Sequence, residues 1–222
     1  MKKLGLIVFV SALSIGLFSA IGCSFGNLTG VQGSGNAKSE KRNVSGFKEI
    51  EAGGAITLEI DAQKDFSVEV EADDNLLSLI KTEVSGDTLK ISTEDKISSK
   101  TKIIVKISLP ELTSLDISGA SGAVVSNVKT GSLKLEASGA SKIKISGEAN
   151  SLESDASGAS GIDAEGLRIE DAVVVASGAS NTTVSAVNDL KADASGASTI
   201  YYTGEPKNVE PKSSGVSSIK KK

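Results

Sequence analysis

Six serine-bearing corners are the first residues in this chain that could do chemistry. Ser-Gly-Ala-Ser begins at Ser118, Ser138, Ser157, Ser177 and Ser195, and a degenerate copy, Ser214-Gly215-Val216-Ser217, follows them. A serine hydroxyl becomes a nucleophile when a neighbouring base takes its proton. The chain has no histidine, so a Ser-His-Asp or Cys-His arrangement cannot form in its usual shape, and the commonest zinc ligand is missing. Five equivalent corners also argue against an active site, which needs one serine set apart from the rest. Carboxylates are the second candidate. Asp116, Glu136, Asp155 and Asp193 each stand two residues before a corner, with Val175 in the same place in the remaining repeat. Such acids could serve a polysaccharide lyase or hydrolase, or hold calcium, which needs several oxygens converging within about 2.6 Å. A flat column of carboxylates supplies that convergence poorly, and Lys134 and Lys191 beside it neutralise it locally. A solvated, salt-laced face is the expected role. No metal, no cofactor and no catalysis are expected.

The elements that position these residues follow from the spacing. Successive corners begin 20, 19, 20, 18 and 19 residues apart, and a near-constant period of that size marks stacked supersecondary units. Five, three and one residues before the corners stand Thr113/Leu115/Ile117, Leu133/Leu135/Ala137, Leu152/Ser154/Ala156, Ala172/Val174/Ala176 and Leu190/Ala192/Ala194, which should point inward. The residues between them, such as Lys134/Glu136 and Glu153/Asp155, should point outward. A second alternation follows each corner, as in Ile143/Ile145, Ile162/Ala164 and Ile200/Tyr202, and a Gly or Asn often ends it. Each repeat therefore reads as strand, tight corner, strand, looser turn. The fold class predicted is all-β: a parallel β-helix or flattened solenoid of about 20 residues per coil, with two main strands per coil.

Upstream, period-two alternation runs through Ile56/Leu58/Ile60, Phe66/Val68/Val70, Leu89/Ile91 and Ile103/Val105/Ile107/Leu109, again predicting half-buried strands. Only Asn75 to Lys81 reads as a helical turn.

The N-terminus reads as a secretory leader over residues 1–22: Lys2 and Lys3, an apolar run from Leu4 to Phe18, then the small residues before Cys23. Cys23 is the single cysteine, so it has no partner for an internal disulfide. Ala20-Ile21-Gly22-Cys23 resembles a bacterial lipobox, with Ala20 where Leu is usual. The expectation is lipid attachment at Cys23 and membrane association through the acyl chains. Residues 24–42, rich in Gly, Ser, Asn and Lys, read as a flexible tether. The expected division is a leader at 1–22, a lipidated N-terminus and tether at 23–42, and one β-helical domain at 43–222. Without Lys2 and Lys3 the chain keeps 22 basic residues against 28 acidic ones, which excludes a nucleic-acid partner as an expectation. Ser24, in place of an Asp that retains some lipoproteins at the inner membrane, leans the localisation toward the outer membrane.

Phe47-Lys48-Glu49-Ile50-Glu51-Ala52-Gly53-Gly54-Ala55, then Gly86-Asp87-Thr88-Leu89-Lys90-Ile91, then Leu109-Pro110-Glu111-Leu112 before the serial corners carry a family likeness. Over roughly residues 43–218 the chain resembles the bacterial autotransporter-adhesin head GIN domain family, a domain of unknown function. The resemblance implies a right-handed single-stranded β-helix, an exported and often lipid-anchored location, and adhesion as the role. Local function is expected where the repeat pattern lapses. Val173 and Val175 put apolar side chains in outward positions that carry charges in other coils. Tyr201 is an outward aromatic in a chain that is only 3% aromatic. These three are the candidate interaction residues, with an unidentified surface protein, a glycan or a second copy of the chain as partner. The alternatives are a β-helical carbohydrate-active enzyme and a structural or signalling-associated envelope module.

Overall fold

The computed structural model describes residues 30–94 and 96–222. The leader and Cys23 lie outside the described residues. The chain runs through β1 (Val31–Gln32), β2 (Ala37–Arg42), β3 (Glu49–Ala52), β4 (Ile56–Ala62), β5 (Ser67–Asp73), β6 (Ile80–Ser85), β7 (Thr88–Thr93), β8 (Ile97–Ser98) and β9 (Ile103–Leu109). It then enters the repeats as β10 (Ser114–Ile117), β11 (Gly122–Ala137), β12 (Lys142–Ala156), β13 (Gly161–Ala176), β14 (Asn181–Ala186), β15 (Asp189–Ala194), β16 (Thr199–Thr203), β17 (Asn208–Ser213) and β18 (Ser218–Lys221). A single 3-10 turn, Leu77–Leu79, falls inside the segment whose pattern reads as helical.

Parallel pairing stacks the coils into a β-solenoid. Strands entering the corners pair in the order β7, β3, β10, then the later halves of β11, β12 and β13, then β15 and β17. Strands leaving the corners pair as β9, β4, the earlier halves of β11 to β13, then β14, β16 and β18. Alternation decides what each strand buries: Leu135, Val174 and Leu190 on the entry side and Ile143, Ile162 and Ile200 on the exit side share one core. Where the sequence reads two strands joined by a loose turn, β11, β12 and β13 are each one long bent strand. The join is a bulge, a register shift between Val125 and Val128 with Asn127 at φ 60°. One extra residue bends the strand while ladder pairing resumes on both sides of it.

The corners stack as tightly as the strands. The Ala140 amide donates to the Gly119 carbonyl at 2.7 Å, and the same 2.7 Å bond recurs from Ala159 to Gly139, Ala179 to Gly158 and Ala197 to Gly178. Gly158 sits at φ 73°, and a Cβ there would lie 2.7 Å from the Gly139 carbonyl oxygen. Glycine is therefore required twice, by the backbone angle and by the neighbouring coil. The stack extends back to Gly54, whose carbonyl accepts from the Ala120 amide at 2.7 Å.

The N-terminal end is built differently from the coils. Strand β5 pairs antiparallel with β9 and with β2, and β6 forms an antiparallel hairpin with β7. Residues 37–42, which the composition reads as tether, are thus the outermost strand of the exit side. Their side chains are mostly exposed, so backbone bonds do most of the recruiting, joined by the Arg42 guanidinium, which donates to the Leu77 carbonyl at 2.7 Å. An edge strand rich in Lys, Glu and Arg looks like a linker by composition. Buried Asp73 closes this end. Its carboxylate accepts from the Gly35 amide at 2.7 Å, the Ser99 hydroxyl at 2.6 Å, and the Lys100 and Thr101 amides at 2.8 and 3.2 Å. At the opposite end, β17 and β18 each pair on one side only among the described residues. Pro211 and Lys220 to Lys222 blunt these edges against further strand pairing.

Candidate interaction surface

The fourth-position serines of the corners tie one coil to the next. From the second corner onward, the serine at the fourth position reaches back one coil: Ser160 donates its hydroxyl to the Ala137 carbonyl at 2.9 Å, Ser180 to Ala156 at 3.0 Å and Ser198 to Ala176 at 2.9 Å. Each of these carbonyls also accepts the amide of the first serine of that corner, as Ala137 does from Ser157 at 2.9 Å. Ser141, Ser160, Ser180 and Ser198 are buried. In this arrangement the hydroxyl proton is committed to a coil-to-coil bond, and the imidazole that usually activates a serine is missing from the chain.

The outward residues of the corner-entry face form two straight columns. One runs Ser114, Lys134, Glu153, Val173, Lys191, Glu210; the other runs Asp116, Glu136, Asp155, Val175, Asp193, Lys212. No register shift falls within the rows that carry these columns. Burial, then the neighbouring Glu136 and Glu51 carboxylates, raise the Asp116 carboxyl above its ordinary range, with Lys134 opposing. Burial and Glu136 raise Asp155 in the same way. Lys134 bonds Glu136 at 2.9 Å, and Lys90 bonds Glu51 at 3.0 Å. Lys134 thus offsets the column locally, as the sequence predicts, whereas Lys191 pairs with Glu210 in its own column at 3.6 Å and Asp193 is met by Lys212 at 3.4 Å. Among the described residues, no group of three or more acids, cysteines or histidines is placed to hold a metal ion.

Val173 and Val175 interrupt both columns in the same coil. They remain 47% and 38% exposed, so no described loop covers them. With Lys191, Asp193, Pro211 and Lys212 they line a shallow groove of about 390 Å³. Tyr201 lies elsewhere. It stands on the corner-exit side between Thr183 and Lys220 and is half-buried. The structure therefore brings two of the three candidate residues together and separates the third. Inspection of single repeats overlooks the groove's charged rim, because Lys191 and Lys212 become neighbours of the valines only through coil-to-coil register. Val124, 54% exposed on the exit side between Glu59 and Lys144, is a further outward valine with a legible signal, its own alternation.

Residues 46–206 match the family described as "Putative auto-transporter adhesin, head GIN domain". The chain belongs to that family. Solved structures share its architecture. A "putative adhesin" from Bacteroides fragilis is 21% identical with a TM-score of 0.74, covering 86% of this chain and 100% of its own. Structures with the same description from Parabacteroides merdae and Parabacteroides distasonis are 19% and 23% identical, with TM-scores of 0.57 and 0.51. Each covers 86% of this chain, and the matches take in 98% and 99% of those chains. At these identities the likeness speaks for the fold alone. Among curated proteins, none matches this chain. Membership in the head GIN family agrees with the resemblance carried by the Phe47–Ala55 entry segment and the Leu109-Pro110-Glu111-Leu112 segment. It assigns no residue a role.

Proposed function

We propose that this head GIN protein is an exported, lipid-anchored envelope protein that works by binding at the surface, in adhesion, and not by catalysis. The observation that carries the reading is the exposed Val173/Val175 row on a face where the coils on either side place charges. Apolar surface held in water without structural need is the signature of a contact site. The family description supports adhesion as the kind of contact. The leader-like segment 1–22 and Cys23 support export and anchoring, most naturally at the outer membrane. The bound partner is a surface protein or glycan. The purified chain, incubated with uronate and neutral polysaccharides and with immobilised glycans and surface proteins, is expected to bind without turnover. Reproducible cleavage of any polysaccharide would overturn the proposal in favour of a carbohydrate-active enzyme.

A further inference from the structure

The face that carries the valines is charge-complementary to itself. Counting rows outward from Val173 and Val175, the first column places Glu153 one coil before and Lys191 one coil after, then Lys134 two before and Glu210 two after. The second column places Asp155 and Asp193 one coil either side, then Glu136 and Lys212 two coils either side. A two-fold axis parallel to the strands, laid through the valine row, reverses coil order and keeps position along the strand. It sets valine on valine, Glu153 on Lys191, Lys134 on Glu210 and Glu136 on Lys212. Asp155 meets a like charge, Asp193, whose in-chain partner is Lys212 at 3.4 Å, so that ammonium is shared between Asp193 and the Glu136 of the other copy.

We infer that the occupant of this face is a second copy of the chain, docked end-for-end about that axis. The inference rests on the binding role proposed above and names its partner. Three features of the structure favour it. The strands are free of bulges across these rows, and both copies share one coil spacing of ~4.8 Å, so the rows stay in step over several coils. The side chains that change partners are solvated, and their in-chain ion pairs, Lys134 with Glu136 at 2.9 Å and Lys191 with Glu210 at 3.6 Å, are exposed. Such pairs stabilise by roughly 1 kcal/mol or less, so exchanging them for intermolecular ones costs little.

The third feature bears on the orientation. A two-fold axis along the coil stack would also pair valine with valine, and over the central five rows it would set Lys134 on Glu136, Lys191 on Asp193 and Glu210 on Lys212, with Glu153 on Asp155 as the like pair. It would also carry the contact on to the acidic end, where Glu49 would face Glu51 beside Asp116. End-for-end docking moves that acidic end past the partner's last coil. The contact spans five rows by about five residues, roughly 20 Å by 17 Å or about 340 Å² per copy, smaller than a standard specific interface, so the dimer is weak and reversible.

Sedimentation equilibrium of the full chain in density-matched mild detergent, over a range of concentrations, tests this. The wild type is expected to dimerise with concentration. Glu153→Lys and Lys191→Glu should each weaken the dimer about tenfold or more by placing like charges opposite one another. An equimolar mixture of the two variants should dimerise again, because each supplies the charge the other lacks. Val173→Lys should abolish association, with thermal melts showing that all three variants stay folded. A tightened dimer in Glu153→Lys would overturn the end-for-end arrangement, since only the alternative axis sets Glu153 against an acid. A wild type that stays monomeric at several hundred micromolar would overturn self-recognition altogether. In that case, binding to a different protein or glycan that Val173→Lys removes would leave the broader binding role standing.

Discussion

Thr182 is fully buried with a hydroxyl that has no hydrogen-bond partner, in a column between Ile162 and Ile200. Valine has the same shape without the unmet bond. Thr182→Val is expected to stabilise the protein by about 1 kcal/mol, read as a raised thermal midpoint. Two acids predict opposite pH effects. Asp73 is held down to about 2, chiefly by the Ser99 hydroxyl and then by backbone amides. Its stabilisation is therefore complete above the ordinary carboxylate value near 4 and disappears as pH falls through about 2. Asp73→Asn should lower stability at pH 7, and the gap should close across that window. Asp116 is raised by burial and its acidic neighbours, so its ionised form costs stability at neutral pH. Asp116→Asn should stabilise at pH 7, and the advantage should vanish once acid protonates the wild-type side chain. Denaturant melts of both variants between pH 2 and 7 check the two signs. The Asp116 environment was legible as a column of acids at fixed offset. Asp73 was not, because its partners come from Gly35 and residues 99–101, which no periodicity connects to it.

At the level of elements, the corner is the unit that makes the solenoid regular. Gly158→Ala places a Cβ against the Gly139 carbonyl at a left-handed backbone angle. It should cost about 2 kcal/mol or more in an equilibrium melt, whereas a glycine free of both constraints would lose far less. The alternation before and after each Ser-Gly-Ala-Ser placed the inward residues correctly, apart from Thr113, which lies just before β10 and stays partly exposed, because stacked parallel strands reuse the same positions every coil. Sequence reading faltered where that reuse stops. The bulge at Asn127 looks like a turn, since a residue that interrupts alternation has the same signature whether the chain reverses or only bends. The antiparallel N-terminal end was equally hidden. Strand β2 contributes backbone and almost no buried side chain, and polar edge strands share their composition with linkers. Phe66 shows the same limit: its alternation with Val68 and Val70 reads as inward, yet it lies just before β5, 37% exposed, with its ring 5.1 Å from that of Phe47.

For the whole molecule, a repetitive scaffold displays a few lapses, and only at Val173 and Val175 do both outward positions of one row lapse together. Val173 and Val175 were legible as misplaced apolar residues, but their self-complementary rim required coil-to-coil register. Tyr201, alike on paper, turns out to face elsewhere. Anchoring adds a prediction of its own: a clickable fatty acid supplied to cells should label the wild-type chain and leave Cys23→Ser unlabelled, and an unlabelled wild type would remove the lipid anchor from the account. The central claim is that the valine row, and not the corners, is where this protein acts. It is tested most directly by measuring equilibrium binding of the purified chain to an array of glycans, surface proteins and the chain itself, comparing wild type with Val173→Lys/Val175→Lys. The account predicts saturable binding to at least one ligand, weakened tenfold or more in the double variant while its thermal midpoint is unchanged. Binding of equal strength in both proteins would contradict it.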